Sequence, residues 1–184
     1  HSFGGVILQM LADRDLGLAY VGVEPGQIAG IRTLPLSTQR TGFPILSKPW
    51  KRHGTSPISK AHFHFTFGND LTRAESDVIW AEQAVPSYNT LFFEGVASAI
   101  SGKGVTAVDV AKADRAPLLV LTGEIDHVVP PVIGRAIVKK YRSTGSPAVV
   151  DYKEFAGRTH RIISQDGWEE VADYALTWAL THTA

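Results

Sequence analysis

The chain has 184 residues, and its 18 lysine and arginine residues balance its 18 aspartate and glutamate residues, so no net charge draws it toward nucleic acid or an anionic membrane. Hydrophobic residues make up 44% and charged residues 20%, which excludes a disordered chain. The chain has no cysteine, which excludes disulfides, thiolate metal sites and a cysteine nucleophile. No apolar run approaches the ~20 residues that span a bilayer.

The first segment predicts a helix followed by a buried strand. Ile7, Met10 and Leu11 recur at helical spacing and are expected to form the apolar face of that helix. The apolar run over residues 18–23 is typical of a strand that is buried on both faces of a parallel sheet. A Glu-Pro-Gly turn at residues 24–26 closes it.

The character of the sequence changes between Arg32 and Arg115. Prolines and polar residues replace the regular periodicities found on either side, which predicts an inserted and mainly helical region. The segment AESDVIWAEQA is its best helix, and Ser76 is the expected N-cap.

The last third alternates strands and helices. Residues 117–123 predict a second buried strand, and Pro131 suits the first turn of the helix that follows. Residues 148–155 predict a third strand, and a final helix begins near Trp168. This alternation predicts an α/β fold with a mostly parallel sheet flanked by helices. The expected apolar faces are Val132, Ile133, Ala136, Ile137 and Tyr141 in the first helix and Trp168, Val171, Ala172, Ala175, Leu176 and Ala179 in the second.

Three reactive residue types follow the predicted turns and strands. Ser2 lies in HSFGG, directly before a predicted helix. This segment matches the G-x-S-x-G motif of a nucleophile elbow except for its first glycine, which would lie just before His1. Asp126 follows the second strand and His160 follows the third. Because the carboxyl ends of parallel strands meet at one rim of a sheet, we expect these three side chains to lie together. Serine, acid and histidine in this order are the set required for nucleophilic acyl transfer.

The segments HSFGG, PLLVLTGEIDHVVP and FAGRTH together resemble the carboxyl-terminal part of an α/β-hydrolase fold serine hydrolase of the esterase or lipase type, starting at the nucleophile elbow. The resemblance implies that Ser2 is the nucleophile, Asp126 the acid and His160 the base, with the backbone N–H of Phe3 in the oxyanion hole. It also implies early strands and a second oxyanion donor that lie outside this chain. We therefore expect a preceding segment of the same protein.

The resemblance also suggests how the chain is divided. Residues 1–32 are expected to form hydrolase core with the elbow, a helix and a strand. Residues 33–115 are expected to form an inserted cap or lid. Residues 116–184 are expected to return to the core with the acid loop, the histidine loop and the closing helix.

The predicted function is cofactor-free hydrolysis of a carboxylic ester or similar acyl bond in a small-to-medium apolar substrate, through an acyl-serine intermediate. A serine at the elbow argues against the dehalogenases and epoxide hydrolases of the family, which attack with a carboxylate. Acyl transfer, perhydrolysis, carbon-carbon bond hydrolysis and a receptor-like ligand-binding role remain open alternatives. The expected partner is a small-molecule ester or acyl substrate, and neither nucleic-acid binding nor a membrane span is expected. The sequence does not determine the cellular compartment, and of the alternatives we favour the cytoplasm.

Other residues near the three segments have simpler interpretations. Glu124 shares the acid loop and is the alternative to Asp126, although it lies nearer the strand end. His127 is expected to point away from the acid into solvent, and His1 to pack beside the elbow.

The inserted region contains two histidines and many aromatic residues. His62 and His64 share a face only in an extended segment, and no third ligand stands out, so no metal site is predicted. The basic cluster around Trp50 is expected to be a solvated loop and comprises Lys48, Lys51, Arg52 and His53. Four aromatic residues are expected to line a substrate pocket, namely Phe63, Phe65, Trp80 and Phe92.

Overall fold

The computed structural model describes residues 1–183, which form helices packed on a parallel sheet. The helices are α1 (Phe3–Ala12), α2 (Leu36–Leu46), α3 (Lys60–Thr66), α4 (Arg73–Gln83), α5 (Thr90–Ser101), α6 (Pro131–Arg142) and α7 (Trp168–His182), with a 3-10 turn at Pro49–Lys51. The strands are β1 (Tyr20–Val23), β2 (Thr55–Ser56), β3 (Ser87–Tyr88), β4 (Leu118–Gly123) and β5 (Val150–Phe155).

The main sheet has the strand order β1-β4-β5, and both strand pairs are parallel. Every residue of β4 is buried, as expected for the central strand of a covered parallel sheet. The registers pair Val23 with Leu121 and Gly123 with Phe155, so the carboxyl ends of the three strands lie along one rim. These features confirm the predicted α/β fold.

Helices cover both faces of this sheet. One apolar cluster joins α1 and α6 to one face through residues such as Val6, Ile133 and Ile137. A second cluster joins α7 to the other face through Val171 and Trp178. Alternate residues of β4 contribute to the two clusters, because successive side chains of a strand point to opposite faces.

The buried face of α1 differs from the predicted one. Ile7 is 57% exposed and Leu11 is 40% exposed, whereas Val6, Gln9 and Ala12 are buried. The prediction was wrong for Ile7 and Leu11, whereas Met10 is half-buried and packs against the core cluster that contains Val6 and Ala12. The helix packs through the side that carries Gly5, which closely approaches the turn after β1.

The stripe of α7 also differs in part. Val171 and Trp178 are buried, and Ala175 and Ala179 pack against them. Three predicted members of the stripe, Trp168, Ala172 and Leu176, are exposed. The observed positions follow the spacing of one helical face, from which those three point away. In α6 the prediction holds except for Val132, which is 41% exposed.

Residues 33–115 are mainly helical, with a short antiparallel pair of β2 and β3. Thr72, and not Ser76, is the N-cap of α4, and it forms a capping box with Glu75. Ser76 lies inside the helix and is fully buried. The basic cluster around Trp50 is exposed as expected, and Arg52 forms an ion pair with Glu94.

Within residues 1–183, no helix combines the length and apolarity that crossing a membrane requires.

Candidate active site

Ser2 lies on a strained turn between the rim of the sheet and α1. Its φ of 53° and ψ of −122° are unusual for a residue with a side chain. Backbone hydrogen bonds hold this geometry: the N–H of Ser2 donates to the carbonyl of Val23 at 3.0 Å, and its carbonyl accepts from Gly26 at 3.0 Å. The turn therefore places the Ser2 hydroxyl at the start of α1, beside the carboxyl end of β1.

Close packing of the backbone explains why glycines lie around the turn that carries Ser2. A Cβ on Gly5 would lie 2.5 Å from Cβ of Pro25, and one on Gly26 would lie 2.9 Å from Cγ2 of Val6. The first residues of α1 therefore contact the turn after β1 directly. A larger side chain at either glycine would displace Ser2.

Asp126, His160 and Ser2 form a continuous hydrogen-bonded chain. Nδ1 of His160 lies 2.7 Å from Oδ2 of Asp126, and Nε2 lies 3.0 Å from Oγ of Ser2. Both Asp126 and His160 are 2% exposed. Because the carboxylate accepts the Nδ1 proton, Nε2 is left to accept the proton of the serine hydroxyl. The structure thus brings together the three side chains that the sequence predicted.

The acid itself is fixed by its own loop. Oδ1 of Asp126 accepts the backbone N–H groups of Val128 at 2.6 Å and Val129 at 3.0 Å. One carboxylate oxygen is thus used for positioning while the other faces His160. Glu124, the alternative acid, accepts the N–H of Gly157 at 2.9 Å and is exposed, so it lies on the loop surface.

Phe3 is the first residue of α1. The first N–H groups of an α-helix have no acceptor within the helix, so the N–H of Phe3 is a donor beside the serine hydroxyl. The ring of Phe3 lies edge-on to the ring of Phe92 at 5.6 Å.

A cavity of about 340 Å³ opens beside Ser2 between the core and the inserted helices. Its volume is at the small end of the range for ligand pockets, and most of its lining side chains are apolar. The lining includes Ser2, Phe3, Leu46, Phe92, Val129 and Ile133.

The four aromatic residues predicted for the pocket occupy different places. Phe92 lines the cavity, but Phe63, Phe65 and Trp80 are absent from its lining. Phe63 is buried against Phe67, and the indole N–H of Trp80 donates to the carbonyl of Ile58 at 2.8 Å. The Phe65 ring stacks on the ring of His127, so these three aromatic side chains serve contacts within the protein other than the cavity wall.

His127 joins the acid loop to the inserted helices. Its Nδ1 lies 2.7 Å from the carbonyl oxygen of Phe65, and its ring stacks on the Phe65 ring at 4.5 Å. The expectation of a solvated histidine was therefore wrong, although the side chain does point away from Asp126. We use the name latch for three contacts between the acid loop and the inserted region. They are the contact of His127 with Phe65 and the hydrogen bonds from Thr38 to the carbonyl of Val128 and from Asn69 to the carbonyl of Ile125.

His62 and His64 lie on α3, not on an extended segment. Residues two apart on a helix do not face each other, so the two rings do not form a ligand pair. Nε2 of His62 instead lies 2.9 Å from the carbonyl oxygen of Thr41, to which it donates.

The sequence analysis did not identify Glu24 as part of the site. Its carboxyl is fully buried, and Oε2 lies 3.3 Å from Nδ1 of His160 and 3.2 Å from Nε2 of His1. Burial, with a smaller contribution from the charge of Asp126, raises the pKa of Glu24 to about 10. The sequence feature that could have identified Glu24 is its position directly after a predicted buried strand, which is the same feature that identified Asp126 and His160.

His1, Glu24 and His160 place three ligand-type atoms within 4.8 Å of one another. Both ring nitrogens of His160 already have partners, Asp126 on Nδ1 and Ser2 on Nε2. No nitrogen of that ring is free to bind a metal ion while the hydrogen-bonded chain is intact, so the cluster fits acid-base chemistry better.

No protein-family model matches this chain, and no curated protein matches it. Among solved structures, a soluble variant of monoglyceride lipase from Saccharomyces cerevisiae superposes with a TM-score of 0.66 at 15% identity. The match covers 100% of this chain and 61% of that one.

Two other solved structures show the same architecture. The monoacylglycerol lipase of Paleococcus ferrophilus gives a TM-score of 0.58 at 17% identity, over 99% of this chain and 66% of that one. Polyneuridine aldehyde esterase gives 0.54 at 14% identity, over 97% and 69% respectively. This chain thus spans about two thirds of the length of the structures it matches, and it has the α/β-hydrolase fold.

Proposed function

We propose that this chain carries the catalytic triad of a serine hydrolase that cleaves a carboxylic ester or similar acyl bond. Ser2 is the nucleophile, His160 the general base and Asp126 the acid that orients it. The observation that carries the proposal is the chain of hydrogen bonds from Asp126 through His160 to Ser2, at 2.7 Å and 3.0 Å. Resemblance to lipases and esterases at 14–17% identity supports the fold on which this chemistry operates.

The reaction follows from the geometry of these groups. His160 takes the proton of the Ser2 hydroxyl as the oxygen attacks the acyl carbon, and it returns that proton to the leaving alcohol. Water then attacks the same carbon of the acyl-serine and gives a proton to His160. His160 passes this proton to the Ser2 oxygen as its bond to the acyl carbon breaks, which releases the carboxylic acid and restores the serine. The N–H of Phe3 is placed to donate to the oxyanion that forms in both steps.

The cavity supports an apolar acyl or alcohol group of small-to-medium size. Its apolar wall from the core, which includes Val129 and Ile133, faces Leu46 and Phe92 from the inserted helices. Such a lining favours substrates by burying apolar surface and supplies no charge that would select an ionic substrate. In this proposal residues 33–115 act as the cap.

Labelling with a fluorophosphonate probe tests the nucleophile. We expect a single modified peptide containing Ser2 in the wild-type protein and none in Ser2→Ala, together with loss of p-nitrophenyl ester hydrolysis. Ser143→Ala is the matched control, because Ser143 is exposed and bonds only to its own helix. Modification of a different serine, or ester turnover that survives Ser2→Ala, would overturn the proposal.

The chain-length profile tests the pocket. Phe92→Ala enlarges the cavity, so the preferred p-nitrophenyl ester should shift toward longer acyl chains relative to the wild type. Trp80→Ala is the control, because Trp80 does not line the cavity. An unchanged profile in Phe92→Ala, or an equal shift in both variants, would contradict this placement of the substrate.

A further inference from the structure

Glu24 is a second carboxyl group within reach of the catalytic histidine. Its Oε2 is 3.3 Å from Nδ1 of His160, compared with 2.7 Å for Oδ2 of Asp126. Both carboxyl side chains are fully buried and face the same ring nitrogen. They come from different strands, since Glu24 follows β1 and Asp126 follows β4.

The backbone aims the Glu24 side chain at this position. Its φ is 46°, in a region that residues other than glycine rarely adopt, and its N–H donates to the carbonyl of Leu121 at 2.7 Å. Oε1 accepts the N–H of Gly123 at 3.1 Å, which leaves Oε2 directed at His160. A strained backbone that presents a buried ionisable group to a reactive side chain is typical of functional positions.

Two buried carboxylates this close do not both ionise, because each disfavours the charge of the other. Asp126 lies nearer to Nδ1 of His160, at 2.7 Å compared with 3.3 Å for Glu24, and the pKa of Glu24 lies far above its ordinary value. The groups that face Glu24 are Asp126, His160, the N–H of Gly123, and both the ring and the amino group of His1, and the amino group lowers the pKa of Glu24 by a smaller amount than burial raises it. Glu24 is therefore a neutral acid that stays within hydrogen-bond range of the Nδ1 proton.

We propose that Glu24 is a reserve acid of the triad. It is a positioning residue whose carboxylate accepts the hydrogen bond from Nδ1–H of His160 whenever the side chain at position 126 is not a carboxylate anion. The inference rests on the proposed function for its catalytic consequence. It predicts that the two carboxyl groups substitute for each other in part, so that removing both costs far more than the separate losses combined.

Asp126→Asn is the first test. Loss of a triad carboxylate ordinarily lowers the rate by about 10⁴-fold, because the histidine adopts the wrong tautomer. With Glu24 in reserve, we expect a smaller loss that shrinks as the pH rises above 7, since activity then follows the ionised fraction of Glu24. That fraction grows about tenfold per pH unit below the pKa of the group. Without the charge of Asp126, burial alone still keeps that pKa above its ordinary value.

The double variant Glu24→Gln/Asp126→Asn should lose both the residual activity and its rise with pH. Glutamine keeps an oxygen that can accept the N–H of Gly123, so the turn is preserved. Glu124→Gln/Asp126→Asn is the matched control, because Glu124 is the exposed acid of the same loop, and it should behave as Asp126→Asn does. A wild-type-like pH dependence in Asp126→Asn, or a rise that survives in the double variant, would overturn the inference.

A spectroscopic measurement separates this inference from the proposed function. In Asp126→Asn the Nδ1 proton of His160 should keep a downfield ¹H resonance at alkaline pH, and the double variant should lose it. This resonance does not depend on turnover. If it behaves as stated while Ser2 fails to react with fluorophosphonate, the proposed function fails and Glu24 remains the acceptor. If Ser2 reacts but the resonance is the same in both variants, the reserve acid is refuted.

Discussion

The core segments, residues 1–32 and 116–183, bring Ser2, Asp126 and His160 together at one rim of the sheet, whereas residues 33–115 are mainly helical and contact the core along several segments. In the core, Asp126 and His160 follow β4 and β5, and the N–H of Ser2 is bonded to the last residue of β1, so the three side chains form hydrogen bonds of 2.7 and 3.0 Å at one rim. The inserted region contacts the core through the latch and the apolar wall of the cavity, and also through contacts such as the Phe67 ring, which lies 5.5 Å from the His160 ring. In the proposed function, the first region carries the chemistry and the second contributes to the selection of the substrate.

The largest difference between the two regions should appear when a histidine is removed from each. His160→Gln should lower kcat/KM for an activated ester by about 10⁴-fold or more, because the serine loses its base. His53→Gln, in the exposed basic loop of the inserted region, should leave kcat/KM within twofold of the wild type. Steady-state kinetics on both variants checks this, and comparable losses would mean that the rim does not hold the chemistry.

A glycine-to-alanine substitution should have opposite effects on stability in the two regions. A Cβ on Gly134 of α6 would lie 2.4 Å from Cγ2 of Thr122, so Gly134→Ala overpacks the core and should destabilise the protein by about 1–3 kcal/mol. A Cβ on Gly95 of α5 would meet nothing closer than Phe3 at 3.8 Å, so Gly95→Ala should stabilise it by up to about 1 kcal/mol. Urea unfolding measures both changes. Equal signs would show that the two regions are packed alike.

The latch should affect substrate binding more than chemistry. His127→Phe keeps a ring to stack on Phe65 but loses the hydrogen bond to its carbonyl, a loss of about 0.5–1.5 kcal/mol. We expect KM for p-nitrophenyl esters to rise by up to about tenfold with kcat nearly unchanged, and residues 33–115 to become more sensitive to proteolysis. His53→Phe is the control. A fall in kcat at constant KM would instead place His127 in the catalytic step.

A further expected effect, again in the core, is a pH dependence of the free energy of unfolding. Below pH 4.5 Glu24 is protonated in the folded and unfolded states alike, but between 4.5 and about 10 only the folded state retains the proton. Its burial therefore costs the wild type more stability as the pH rises through that window. The Tm of Glu24→Gln relative to the wild type should accordingly increase from pH 5 to pH 9. A constant difference would show that Glu24 is ionised in the folded protein.

Sequence pattern predicted the core better than it predicted the inserted helices. The strand β4 and the helix α6 were recognisable because a continuous apolar run and a proline in the first turn are local signals. The N-cap of α4 was placed at Ser76 instead of Thr72, because both residues have capping side chains and only the fold buries one of them. Membership of the cavity is also a tertiary property, so Phe92 was not distinguishable from Trp80.

The sequence by itself determined the order of Ser2, Asp126 and His160 and the position of Asp126 and His160 after two strands, and parallel strands bring the residues that follow them to one rim. Only the tertiary structure decided which face of α1 is buried, which aromatic residues reach the cavity, and that the carboxyl of Glu24 faces His160. These outcomes depend on distances between segments far apart in the chain. Pattern in the sequence records which residues are apolar or reactive, but packing selects their neighbours.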